Sequence, residues 1–142
     1  MSLFADQSRE QLRSAYREVW RKWHERLPLQ PLEAQIADII AAHPEYQQML
    51  QDETSLRQEF GADGGRENPF LHMGLHLALR EQIGTDRPAG IADIHRRLAA
   101  LAGGAHAAEH RMIEVLASVL HEAQRLGQPT PDSAYLQRLR QL

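Results

Sequence analysis

Two pairs of histidines, each spaced by four residues, offer the plainest chemistry in this sequence: His72 with His76, and His106 with His110. Residues four apart on a helix project from one face, one turn above the other. Two imidazoles so placed can share one metal ion, and neutral imidazole is the commonest metal ligand in proteins. Glu109 lies inside the second pair. At about 100° per residue it points the same way as Met112, Ile113, Leu116 and Leu120, in the middle of an apolar stripe with His106 and His110 along one edge. An ionised carboxylate in a core costs several kcal/mol unless it is paired, protonated or bound to a cation, and a divalent metal meets that need. If the two helices pack together, His72, His76, His106, Glu109 and His110 converge as ligands of one mononuclear site with an open position. His43 is a sixth candidate. It precedes Pro44 at a helix break, where a side chain can turn inward, and Glu45 and Tyr46 follow as a ligand or a supporting group.

The same residues admit other readings. Arg80 stands four residues after His76, so Glu109 can pair with it in a metal-free buried His–Glu–Arg network, in a chain whose role is structural or interactive. The run His106-Ala107-Ala108-Glu109-His110 also fits the H-x-x-E-H pattern of inverted zincins, in which two histidines bind zinc and the glutamate is the general base of a hydrolase. Carboxylates are too few for a di-iron carboxylate centre, and a histidine-rich site suits zinc, nickel or mononuclear iron. Whether Glu109 is ligand, base or ion-pair partner stays open at this stage, as does whether the chain is an enzyme. His95, beside Arg96 and Arg97, His121 toward a polar face, and His24 among charged neighbours read as solvated side chains.

Helices must position these groups. Alanine and leucine supply 38 residues, against 13 for valine, isoleucine and threonine, a ratio that favours helix over strand. Leu12, Tyr16, Val19, Trp20, Trp23 and Leu27 recur at spacings of three and four along a first helix from about Asp6 to Arg26. Pro31 or Leu32 opens a second helix lined by Ile36, Ile39 and Ile40, and Pro44 opens a short third. Asn68-Pro69 reads as cap and first position of the helix bearing His72 and His76, which is apolar nearly all round and therefore buried on several sides. Thr85 to Pro88 begins the next, Gly103-Gly104 separates it from the long helix bearing His106 and His110, and Thr130-Pro131 caps a last short one. The expectation is an all-α fold: residues 1–142 as one helical domain, a bundle of about six mostly antiparallel helices. Residues 52–67, which contain GADGG, lose all periodicity and read as a mobile loop that can lie as a lid over the histidines.

Composition sets the remaining bounds. A chain of 142 residues with no cysteine has neither a disulfide framework nor thiolate chemistry nor cysteine-ligated metal. The formal charge of −3 gives no global field for nucleic acid. Arg9, Arg13, Arg17 and Arg21 form a stripe on the first helix, but Glu10, Glu18 and Glu25 interleave with it, so nucleic acid is not the expected partner. No run approaches the ~18 apolar residues of a membrane span, and the N-terminal MSLFADQSRE is not a secretory signal. A cytoplasmic protein is the simplest expectation, and self-association into a homo-oligomer is compatible with it.

The stretches PLEAQIADIIAAHPEY, ENPFLHMGLHLALREQIGTDRPAGI and HAAEHRMIEVLASVLHEAQRLGQPTPDSAYLQRLR resemble a bacterial family numbered 1841 among the domains of unknown function. The most specific segments are NPFLHMGLH, TDRPAGI and HAAEH; Gln47 after HPEY and the GADGG region match more loosely. The resemblance implies a helical bacterial protein. It implies no activity and assigns no ligand.

Overall fold

The structure, a computed structural model, describes residues 3–52, 54 and 68–142, with side chains from Arg9 onward. Most of the expected 52–67 loop, and with it the lid, lies outside the described residues. Among the described residues the fold is all-α, with seven helices where the sequence suggests about six: α1 (Leu3–His24), α2 (Pro31–Ala41), α3 (Pro44–Leu50), α4 (Pro69–Thr85), α5 (Ile91–Ala102), α6 (Ala105–Leu126) and α7 (Asp132–Arg140). The chain forms two compact units, Met1–Gly74 and Leu75–Leu142, and the boundary falls inside α4.

In the first unit α1 contributes Tyr16, Val19 and Trp20 to the interior, and α2 contributes Ile36, Ala37, Ile39 and Ile40. The outer members of the expected α1 stripe stay in solvent: Leu12 is 60% and Trp23 45% exposed, although Trp23 stacks on Trp20 at 4.9 Å. The arginine stripe is largely spent within the fold. Arg13 is buried with its guanidinium 4.8 Å from the Phe70 ring centre. Arg17 Nε donates to the Leu50 carbonyl at 2.7 Å, where a cation complements the C-terminus of α3. Arg21 pairs with Glu18 and Glu25. Glu33 joins α1 to α2, accepting from Lys22 Nζ at 2.8 Å and from the Gln30 N–H at 3.0 Å.

The start of α4 follows from its sequence. Pro69 takes the first helical position, and Asn68 Oδ1 accepts from the N–H groups of Phe70 and Leu71 at 3.0 and 3.3 Å. Replacing Asn68 with alanine is expected to lower stability by about 1 kcal/mol, read as a shift of the urea midpoint at constant slope.

The second unit is built around Leu79, Ile91, Leu98, Ala108, Met112 and Leu139, drawn from α4, α5, α6 and α7. Two starts differ from expectation. α5 begins at Ile91 with Gly90 as its cap residue, and Asp86 acts at a distance: its Oδ1 accepts from the Gly90 and Ala92 N–H groups, both at 3.1 Å. α7 is preceded by Pro131 rather than capped by Thr130, since proline in an extended conformation already sets the entry direction. Gly103 and Gly104 have φ of 92° and 133°, which glycine adopts without steric cost, and this sharp reversal lets α6 fold back on α5. Val119 is buried near the end of the α6 stripe, whereas the expected Leu120 is 51% exposed. Tyr135 ties α7 to α4 through its hydroxyl, which donates to Gln82 Oε1 at 2.8 Å.

Candidate metal centre

His76, His106, Glu109 and His110 come together in the second unit. α4 carries His76, which is 0% exposed; α6 carries the other three. The His76 and His106 rings lie nearly parallel, 6° apart, with centres at 5.3 Å. His110 stands 4.9 Å from His76 and 4.4 Å from His106. One ring nitrogen of each histidine lies within 4.8 Å of those of the others. Donor atoms on a tetrahedral ion with bonds near 2.0–2.1 Å are roughly 3.4 Å apart, so the set could hold one ion if its nitrogens drew closer together. His106 and His110 are half-buried.

Glu109 stands behind this cluster. It sits buried in the middle of the α6 stripe, as its helical phase requires. Its Oε1 lies 3.2 Å from His76 Nδ1 and 2.9 Å from Arg80 Nε. Burial pushes the Glu109 carboxyl up, but the hydrogen bonds from His76 and Arg80 and the Arg80 charge outweigh it and hold the group at about 2. An ionised carboxylate only accepts hydrogen bonds, so Nδ1 of His76 carries the proton. The lone pair is then on Nε2. A carboxylate behind one ring nitrogen fixes the tautomer and orientation that a metal-binding histidine needs at the other.

His43 and His72 belong to the first unit, so the His72/His76 pair straddles the boundary inside α4. His43 is buried, and its Nδ1 donates to the Ile39 carbonyl at 2.7 Å. Tyr46 stacks on it at 5.3 Å and 7°, and His72 meets it edge-on at 5.1 Å. Proline at position 44 holds His43 out of the helical region, with φ −126° and ψ 72°, which turns the ring inward at the break. Among the other histidines, His24 packs edge-on against Trp20 and Trp23, and His95 lies 3.3 Å from the Ala105 carbonyl.

What the sequence could not supply was the division of labour. Spacing offered six candidate ligands without their partners: Glu109 is engaged by His76 and Arg80, and His43 and His72 pack with Tyr46. The signal for the first point was present in the i,i+4 spacing of His76 and Arg80, which places both side chains over one stretch of α6.

Such a structure defines a class: an all-α protein with a histidine cluster that could hold a metal ion. The chain belongs to the domain-of-unknown-function family DUF1841, which it matches over residues 8–141. No curated protein and no solved structure matches it. Among the described residues, no helix is long and apolar enough to cross a membrane.

Proposed function

We propose that this protein binds a divalent transition-metal ion through His76, His106 and His110, with Glu109 and Arg80 as positioning residues. The observation that supports this best is the pairing of three close imidazoles with a carboxylate that orients one of them. Nitrogen donors favour zinc, nickel or iron over the oxygen-seeking magnesium and calcium. Glu109 does not take the role of a base in this reading. A general base works best with a pKa near the working pH, and a carboxylate held at about 2 by two hydrogen bonds is far from that.

The second reading is a metal-free structural or interaction module. It is favoured by the His76–Glu109–Arg80 network, in which the buried carboxylate already has its counter-charge.

Elemental analysis of untagged protein, purified without chelator, separates the two. The expected result is one metal per chain in the native protein and its loss from a His106→Ala/His110→Ala variant. Native protein that carries no metal, and takes up none from zinc, nickel or iron(II) salts, overturns the metal reading.

A further inference from the structure

At the C-terminal end of α1 a cleft of about 520 Å³ is lined by Trp23, His24, Arg26, Leu27 and Leu29. All five belong to the first unit, away from the metal-site residues of the second. Small-molecule sites run to roughly 300–1,000 Å³. We infer that this cleft binds a small planar aromatic molecule carrying an anionic group, with Trp23 as the stacking surface and Arg26 as the partner of the anion.

Trp23 is held in place for that task. Its indole lies against Trp20, 7° from parallel at 4.9 Å, and His24 meets the two rings edge-on at 4.6 and 5.4 Å. Trp20 is buried, so the stack is anchored in the interior of the unit, yet Trp23 remains 45% exposed. A fixed indole open to solvent takes a flat ring partner at little cost in side-chain freedom. Leu27, also exposed, extends the apolar wall.

Arg26 supplies the charge. No carboxylate lines the cleft. The nearby cations of α1 are paired, Arg21 with Glu18 and Glu25 and Lys22 with Glu33. The Arg26 backbone has a φ of 56°, the left-handed conformation that closes the helix: its N–H donates to the Trp23 carbonyl, and the Leu27 N–H donates to that of Lys22. Glycine takes such a position without steric cost. An arginine kept there against its backbone preference points to a use for the side chain. A guanidinium grips carboxylate and phosphate alike through two parallel N–H bonds, so the anionic group is one of these.

The test follows binding to the full chain by ligand-observed NMR at constant ionic strength. The probes are adenosine monophosphate and 1-naphthoate, each beside its neutral counterpart, adenosine and 1-naphthamide. Saturable binding of at least one anionic probe is expected, with a dissociation constant of about 1 mM or tighter. Its neutral counterpart should bind roughly tenfold more weakly. Whichever probe binds identifies the anion as phosphate or carboxylate. No binding of either up to about 10 mM overturns the inference, and equal binding of a neutral counterpart refutes the role of Arg26. Trp23→Ala should weaken binding roughly tenfold or more. Arg26→Gly should weaken it roughly tenfold as well, while melting about 2 °C higher than the native protein, because glycine relieves the backbone. Native affinity in either variant overturns the inference, and a lower melting temperature for Arg26→Gly refutes the argument from its conformation.

Discussion

Replacing Glu109 with glutamine is expected to cost the metal-free protein about 3 kcal/mol at pH 7, with most of that cost gone near pH 2. Glu109 is held at about 2, against an ordinary 4.5, and the group is buried. Its carboxylate is therefore more strongly bound to its surroundings in the folded chain than in the unfolded one. A depressed folded value gives stability that is fully present above the unfolded value of 4.5. That stability is lost as the pH falls toward about 2. Glutamine mimics the protonated carboxyl, which cannot balance Arg80, so the variant starts where the native protein ends. Urea melts at pH 7, 4 and 3 should show a gap that narrows chiefly below pH 4. A gap that stays constant across this range would mean that shape, not charge, accounts for the loss. Chelation of metal before the melts is essential, because ligation of His76 would add a second linkage.

That network illustrates how far the sequence could be read. The all-α class and the starts of α2, α3 and α4 follow from local rules, since Pro31, Pro44 and Asn68-Pro69 act on their own backbone. The placement of Glu109 in the core was legible because its phase on α6 is a matter of arithmetic. Its partners were legible only as alternatives: Arg80, His76 or a metal all meet the same electrostatic need, and the choice depends on the distance between two helices. Arg13 was beyond reach for the same reason. In sequence it is one of four evenly spaced arginines, and only the placement of Phe70 makes it a buried cation over a ring. His72 shows the limit of the i,i+4 rule. The rule says that His72 and His76 share a face of α4, but it does not name their partners: His43 and Tyr46 beside His72, and Glu109 beside His76.

Zinc is expected to raise the melting temperature of chelator-treated protein by roughly 10 °C when present at about a thousand times its dissociation constant. Binding to the folded state alone at that excess contributes about 4 kcal/mol, and a chain of this size gains roughly 2–4 °C per kcal/mol. Three variants divide the effect among its causes. His106→Ala/His110→Ala removes two donors and the rings packed on His76, so it should melt somewhat below the metal-free native protein and show no response to zinc. Glu109→Gln keeps all three imidazoles but loses the acceptor that orients His76. Loss of such a partner weakens metal binding by about 10–100-fold, so its zinc-induced shift should shrink and recover at higher zinc. Asn68→Ala, whose cap lies at the far end of α4, should melt lower and keep the full zinc shift. A metal-free network predicts another pattern, in which zinc moves none of the four proteins and Glu109→Gln alone is severely destabilised. The two patterns differ most in the double histidine variant. A metal site makes it the one protein blind to zinc, whereas a structural network gives it no special place.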